Sequence, residues 1–224
     1  MHDFSFALIE AIKYNNWYND EKVYDYIFNS EIIHRSDYIP VGSVEFVLHC
    51  LEKFHNIKNV KPLNIPQELR KPKYLKRWVD TINTNTATIN FFDKNKPMFI
   101  KDNTKIKGIA EIFIPNRGYP VGEYLVSELI DIESEWRSFV FNNRLVGLQN
   151  YSGDFTMFPD VELINEIIKD YSNNGAYTLD VGINRKEGTF IIELHDFFSC
   201  GLYGFSDYKI LPLMLINTWN RLTK

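Results

Sequence analysis

Cysteine is scarce in the 224-residue sequence, which contains only Cys50 and Cys200. Two cysteines without metal-ligand spacing exclude a disulfide framework and favour a reducing compartment. A long apolar run is also lacking. The longest strongly apolar stretch, residues 208–216, contains Lys209 and Pro212 and is far shorter than the roughly 20 residues of a membrane-spanning helix. The N-terminus lacks the basic start and apolar core of a signal peptide, so we expect a cytoplasmic protein that does not cross a membrane.

An excess of positive charge is lacking as well. Lys and Arg total 25 against 29 Asp and Glu, and the net charge of −4 argues against a dedicated nucleic-acid-binding protein. The charge is unevenly distributed, because residues 1–112 carry 16 basic and 14 acidic residues whereas residues 113–224 carry 9 and 15. The most basic segment, 53–77, has eight basic residues and one acid. It is either a solvated connector or a surface for an anionic ligand such as a nucleic acid.

The overall composition, with 45% hydrophobic and 24% charged residues, is typical of a globular protein with one large or two small domains. Apolar residues at spacings of three and four predict helices at residues 4–28 and 41–54, the second with Ser43 as its N-cap. The proline-interrupted segment 53–77 is predicted to be a linker that leads into a short helix at 74–82.

In the second half of the chain the apolar period changes to two, which indicates strands. They are predicted at residues 97–101, 124–130, 135–141, 144–151, 176–183 and 189–195. Asn142 and Asn143 suit a two-residue hairpin turn with positive φ. Residues 161–171 predict a helix that is capped by Asp160 and ended by Asn174 and Gly175. The predicted class is α+β.

The hairpin of residues 176–196 contains the most informative polar residues. If residues whose numbers sum to 373 are paired, one face is continuously apolar, with Leu179, Val181 and Ile183 opposite Leu194, Ile192 and Phe190. The other face then has Thr178, Asp180 and Gly182 opposite His195, Glu193 and Ile191. The carboxylates of Asp180 and Glu193 therefore lie across from each other, with Cβ atoms roughly 5 Å apart.

Two carboxylates in that position repel each other unless a proton or a cation lies between them. A hard divalent cation such as Mg²⁺ prefers carboxylate oxygens and resolves the conflict. An ordinary ion pair of Asp180 or Glu193 with Arg or Lys is an equally good interpretation of the hairpin alone. A register slip of one residue would separate the pair.

Five segments, read in order, resemble the ATP-grasp superfamily, in particular its compact phage and bacterial members. They are Phe99-Ile100-Lys101, Ser127-Glu128-Leu129-Ile130, Glu135-Trp136-Arg137, Asp180, and Glu193-Leu194-His195-Asp196 followed by Gly201-Leu202. The resemblance covers roughly residues 75–224, and residues 40–47 resemble a shortened pre-grasp region. It implies an ATP-grasp fold with two α+β lobes of antiparallel sheets, preceded by a shortened pre-ATP-grasp α/β region. The corresponding domains are residues 1–73, 74–127 and 128–224.

The same resemblance implies roles for the basic residues. Lys101 matches the strand lysine that holds the α- and β-phosphates of ATP. Lys105 and Gly108 match the loop that closes over the phosphates, and Arg77 matches a basic residue at the start of the small lobe. Arg137 matches an arginine near the reacting phosphate, where a planar guanidinium can hold a γ-phosphate or an acyl phosphate.

For the nucleotide base and sugar, the resemblance implies that the backbone of Glu128, Leu129 and Ile130 meets the adenine edge. Glu135 matches the acid that binds the ribose hydroxyls, a role for which a carboxylate, as a double acceptor, is suited.

The implied metal ligands are Asp180 and Glu193, with His195 where the family usually has asparagine. Imidazole is a poorer Mg²⁺ ligand than an amide oxygen, so Asp196 is a further candidate. The expected cation is Mg²⁺, with Mn²⁺ as an alternative.

The implied activity is an ATP- and Mg²⁺-dependent carboxylate–amine ligase that acts through an acyl phosphate. Its partners would be ATP and small-molecule, peptide or protein substrates that supply the carboxylate and the amine. An ATP-binding interaction module with little or no turnover is the alternative, favoured by His195 and by the glycine-poor loop near Gly108. Residues 151–153 and 197–203 would determine the substrate.

Overall fold

The computed structural model describes residues 3–28, 37–84, 97–114 and 118–224. The described helices are α1 (Asp3–Asn19), α2 (Val44–His55), α3 (Pro72–Leu75), α4 (Val161–Tyr171) and α5 (Leu211–Leu222), with a 3₁₀ turn at Gln67–Leu69. The described strands are β1 (Val79–Asn83), β2 (Met98–Asp102), β3 (Ala110–Ile112), β4 (Glu123–Glu128), β5 (Ser134–Phe141), β6 (Arg144–Gly153), β7 (Ala176–Asn184) and β8 (Gly188–Asp196). None of the helices in these ranges is long and apolar enough to span a bilayer.

The strands form two four-stranded sheets, in the orders β1-β4-β2-β3 and β6-β5-β7-β8. Every pairing between neighbouring strands is antiparallel. The predicted α+β class with two antiparallel sheets is confirmed.

The helices of the first half differ from the prediction at their ends. Helix α1 stops at Asn19 instead of continuing to residue 28, because Asp20 takes a left-handed φ of 53° and the Asn16 side chain bonds the backbone of Tyr24 in both directions. Helix α2 begins as predicted, with the Ser43 hydroxyl accepting a hydrogen bond from the Phe46 N–H at 3.2 Å.

The predicted helix at residues 74–82 is wrong. Helix α3 ends at Leu75, where Lys76 adopts a φ of 54°, and residues 79–83 form strand β1. Val79, Thr81 and Ile82 are β-branched and favour a strand, and β1 pairs with β4 along its whole length. Helical propensity over one turn therefore gave way to sheet pairing.

In the second half, the predicted strands are found with ends shifted by one or two residues. Strand β4 ends at Glu128, so Leu129 and Ile130 follow the strand, and the short β3 was not predicted. The turn between β5 and β6 is confirmed, with φ values of 50° at Asn142 and 57° at Asn143. Helix α4 is capped by Asp160 as predicted but ends earlier, at a left-handed Ser172.

The segment between α2 and β1 is not a solvated connector throughout. Asn64 and Leu69 are fully buried and Ile65 is 1% exposed. Ile65 and Leu69 belong to the hydrophobic cluster that also contains Leu179 and Leu194 of the second sheet. This segment therefore packs against the sheet that carries the predicted carboxylates.

Candidate functional site

The β7–β8 hairpin has the predicted register at one end only. Asp180 pairs with Glu193 and Leu179 with Leu194, as the sequence predicts. Beyond Asp180 the register shifts by one, so that Val181 faces Ile191 and Ile192 is the extra residue of a β-bulge. The predicted pairing of Val181 with Ile192 is therefore wrong. The bulge does not disturb the carboxylate pair.

Three predicted metal ligands converge on one face of this hairpin. Ligand atoms of Asp180, Glu193 and His195 lie within 4.8 Å of one another. The His195 Nε2 is 3.0 Å from Glu193 Oε1, and burial lowers the pKa of His195 to about 4, so the imidazole is neutral at pH 7. The group combines two carboxylates with one neutral nitrogen ligand.

Asp196, the fourth predicted ligand, is not part of that group. Because side chains alternate along a strand, Asp196 projects from the opposite face to His195. Its carboxylate contacts the Arg221 guanidinium of α5. Burial raises the pKa of Asp196, and the charge of Arg221 opposes the rise. Asp196 ties α5 to β8.

Arg137 neutralises Asp180 directly. It lies opposite Asp180 in the β5–β7 ladder, and its Nε and Nη2 donate to Asp180 Oδ1 and Oδ2 at 2.8 and 2.7 Å. Burial disfavours the charged guanidinium, but the hydrogen bonds and charge of Asp180 outweigh it and raise the pKa of Arg137. A third donor, Nη1, bonds the carbonyl of Gly201 at 3.1 Å. The ion pair that the sequence left open as an alternative is thus present.

Lys101 neutralises the second carboxylate from the other sheet. Its ammonium contacts the carboxylate of Glu193, and its side chain is 20% exposed. Burial lowers the pKa of Lys101 to about 8, and the Asp180 carboxylate opposes that shift. Two cations and two carboxylates therefore alternate where β2 of the first sheet faces β7 and β8 of the second.

Tyr151 joins Arg137 to the predicted ribose ligand. It is the extra residue of a second bulge, between β5 and β6, and its hydroxyl donates to Glu135 Oε2 at 2.8 Å. Its ring centroid is 5.6 Å from the Arg137 guanidinium carbon, and the ring stacks on that of Tyr203 with the centroids 5.0 Å apart. The Asn150 amide donates to the Glu135 carbonyl at 3.1 Å beside the bulge. The sequence pointed to residues 151 and 203 for specificity but not to their contact with Arg137, since that contact joins distant segments.

A cavity of about 560 Å³ contains the predicted base-binding segment. Arg77, Pro97, residues 128–131 and residues 184–187 are among its lining residues. Arg77 Nη1 donates to the carbonyls of Ile191 and Leu75, and burial lowers its pKa to about 10. The backbone N–H of Glu128 is bonded to the Trp78 carbonyl at 3.0 Å. The structure thus brings Arg77 together with residues 128–130, whereas Lys101 and Arg137 face the carboxylates.

Comparison with known families identifies the fold. A family model described as an ATP-grasp domain, the second family of its clade, matches residues 74–213. The chain belongs to this family. A comparison with curated proteins finds no match.

Solved structures of ATP-grasp ligases resemble the chain at low sequence identity. N5-carboxyaminoimidazole synthetase from Staphylococcus aureus is 14% identical, with a TM-score of 0.47 over 67% of this chain and 49% of that one. The ligase PsnB with its minimal precursor is 13% identical, with a TM-score of 0.47 over 68% and 57%. D-alanine–D-alanine ligase from Bacillus anthracis with ATP is 12% identical, with a TM-score of 0.45 over 70% and 64%. The chain thus spans about half to two thirds of the length of these proteins.

The loop after the lysine strand of this ATP-grasp domain is compact. Asp102 Oδ1 accepts hydrogen bonds from the backbone N–H groups of Thr104 and Lys105, at 2.7 and 3.0 Å. A Cβ at Gly108 would lie 2.5 Å from the Asp102 Cβ, so glycine is required there. Lys105 is exposed and lies apart from the carboxylate group.

The donor set of the ATP-grasp domain suits a hard divalent cation through its two carboxylates. Asp180 is only 1% exposed, and Asp180 and Glu193 already hold Arg137 and Lys101. A cation that binds here must take the place of one of these basic groups.

Proposed function

We propose that this ATP-grasp domain is an ATP- and Mg²⁺-dependent carboxylate–amine ligase that acts through an acyl phosphate. The observation that carries the proposal is the alternation of Lys101, Glu193, Asp180 and Arg137 between two sheets. Phosphoryl transfer requires positioning and charge neutralisation more than covalent assistance, and this arrangement supplies both signs of charge. The acid substrate would be an amino acid, a peptide or a protein.

On this proposal each group has one task. Lys101 leaves Glu193 and binds the α- and β-phosphates, while Arg137 holds the transferred phosphoryl group or the acyl phosphate. Mg²⁺, bound by Asp180 and Glu193 with His195 beside them, supplies neutralisation of the phosphate oxygens. The attacking amine then displaces phosphate from the acyl carbon.

The nucleotide's base and sugar lie toward the cavity. Glu135 accepts hydrogen bonds from the ribose hydroxyls, with Tyr151 fixing its carboxylate. Residues 128–130 meet the adenine edge, Arg77 lies beside them, and the loop of Lys105 covers the phosphates. The lobes proposed at residues 74–127 and 128–224 each contain one of the two sheets.

The test is ADP release from ATP and Mg²⁺ by the purified protein with pooled amino acids or peptides. The expected result is ADP formation that requires one pool and is abolished by Lys101→Met. Lys13→Met is the matched control, since Lys13 is exposed on α1 and pairs with Glu10. The absence of both ADP formation and ATP binding by calorimetry would overturn the proposal.

The same assay separates the alternative of an ATP-binding interaction module. His195 in the ligand group and the occupation of both carboxylates by basic side chains favour it. It predicts that ATP raises the unfolding temperature while no ADP forms with any pool.

A further inference from the structure

Asn64 lies at the junction of the two sheets, outside the residues 74–213 that the family model matches. It is fully buried and adopts a left-handed φ of 47°, a conformation that asparagine tolerates better than most residues. Its neighbour Ile65 is 1% exposed, and Pro62 and Pro66 restrict the chain on both sides. The position of Asn64 is therefore tightly determined.

The hydrogen bonds of Asn64 reach both sheets. Its side-chain Nδ2 donates to the Asp102 carbonyl at 3.2 Å and to Asn103 Oδ1 at 2.8 Å, at the end of β2. Its backbone carbonyl accepts from the Leu194 N–H at 2.6 Å, an isolated antiparallel bridge on the edge of β8. Asn64 is therefore bonded to the residue after Lys101 and to the residue after Glu193.

The amide of Asn64 is also held at a cost. Among the described residues its Oδ1 has no hydrogen-bond partner although it is buried. A buried amide oxygen without a partner is unfavourable, so its orientation is set by what Nδ2 bonds. The two acceptors at the end of β2 fix it.

We propose that Asn64 is a positioning residue that holds the end of β2 against the edge of β8 and so sets Lys101 opposite Glu193. Only the consequence for nucleotide binding rests on the proposed function. The two ion-pair partners lie 92 residues apart on different sheets. Beside their contact, Asn64 bonds the chain next to each of them and so fixes their separation.

The test is Asn64→Asp, which keeps the shape and the left-handed preference but replaces the donor with an oxygen that faces two acceptors. The matched control is Asn15→Asp. Asn15 is a buried asparagine of α1 whose Nδ2 likewise donates to two oxygens, the carbonyls of Ala11 and Tyr208. Both variants lose the same chemistry, but only Asn64 contacts the chain beside Lys101 and Glu193.

Amide hydrogen exchange without nucleotide is the first measurement. Asn64→Asp is expected to speed exchange at least about tenfold in residues 102–104 and 193–196 together, because a lost buried hydrogen bond opens both segments. Asn15→Asp should leave both segments unchanged. Calorimetry with ATP and Mg²⁺ is the second measurement, and Asn64→Asp is expected to weaken binding at least about tenfold while Asn15→Asp does not.

Reversal of the hydrogen-bond chain gives a rescue. The Asn103 amide donates to the Glu123 carboxylate, so Asn103 cannot turn its NH₂ toward residue 64 without placing its oxygen against Glu123. Adding Glu123→Gln to Asn64→Asp supplies a donor there and lets Asn103 turn over. We expect the double variant to recover part of the exchange protection and of the ATP affinity.

The outcomes are separable. Unchanged exchange in both segments of Asn64→Asp, or equal effects of Asn15→Asp, would overturn the inference. Coupled loss of protection together with partial rescue supports it. A wild-type protein that binds no ATP would overturn the proposed function alone, because the exchange comparison does not require nucleotide.

Discussion

The residue with the greatest influence on the site is Arg137. It is 8% exposed, bonds Asp180 through two nitrogens and lies over the rings of Tyr151 and Tyr203. A buried ion pair of this kind adds little net stability, yet the loss of one partner is expensive because the other stays charged and buried. Arg137 and Asp180 therefore depend on each other for folding as well as for chemistry.

Replacing Arg137 by methionine is expected to lower the free energy of unfolding by about 3–5 kcal/mol, because Asp180 is left without a partner. The combination of Arg137→Met with Asp180→Leu should recover most of that loss. Urea unfolding of the single and double variants measures both values. Arg185→Met is the control, and its 71% exposed side chain pairs with Glu133 at the surface, so the change should stay below about 1 kcal/mol. Equal losses in Arg137→Met and Arg185→Met would contradict the expectation.

His195 gives the stability a pH dependence. Burial lowers its pKa from 6.5 to about 4 in the folded chain, so the unfolded chain takes up the proton first as the pH falls. The stability contributed by the neutral imidazole is fully present above pH 6.5 and is lost between pH 6.5 and about pH 4.

We expect His195→Asn to remove this part of the acid destabilisation. Unfolding free energies measured from pH 7 to pH 4 without divalent cations should decline less steeply in the variant than in the wild type. His49→Asn, at an exposed position of α2, should keep the wild-type slope. Parallel slopes for His195→Asn and the wild type would refute the prediction.

Among the elements, the β7–β8 hairpin separates what a sequence can predict from what it cannot. The Asp180–Glu193 pairing followed from apolar alternation and is confirmed. The bulge at Ile192 could not be predicted, since Phe190, Ile191 and Ile192 are all apolar and a slip of one residue leaves the pattern apolar. The contacts of Asn64 and Tyr151 were equally inaccessible, because they join segments that sheet pairing alone does not bring together.

Helix α4 offers a test at the same scale. The Asp160 side chain accepts a hydrogen bond from the Leu163 N–H at 3.0 Å, and Ile164, Ile167 and Ile168 bury the apolar face of the helix. Asp160→Ala is expected to cost about 1 kcal/mol because it leaves an N-terminal N–H without a partner. Asp160→Ser retains a capping oxygen and should cost only a few tenths of a kcal/mol. Urea unfolding measures both, and equal losses would show that the cap is not what stabilises α4.

At the scale of the whole molecule, the uneven charge of the two halves corresponds to ion pairs between them. Lys71 pairs with Asp170, Lys73 with Glu166 and Lys101 with Glu193. Basic residues of the first half thus face acidic residues of the second. Two lysines of the basic segment 53–77 are engaged by α4 in this way, which weakens the interpretation of that segment as a surface for polyanions.

The N-terminal helix belongs to the same core as the second sheet. Phe4 is 1% exposed, and its ring lies 5.6 Å from that of Phe197, which follows β8. Phe4→Ala is therefore expected to cost about 3–5 kcal/mol in urea unfolding. Phe6→Ala on the same helix should change stability by less than about 0.5 kcal/mol, since Phe6 is 57% exposed. Similar losses for the two would mean that α1 does not pack as described.

The position of α1 also has a consequence for how the chain folds as it is made. Its Asn15 bonds the Tyr208 carbonyl across 193 residues, so the first helix to leave the ribosome has to wait for nearly the last segment. At about 5–20 residues per second that wait is about 10–40 s. Throughout that interval the apolar face of α1 is open to other nascent chains and to chaperones, and its burial completes the molecule at the end of synthesis.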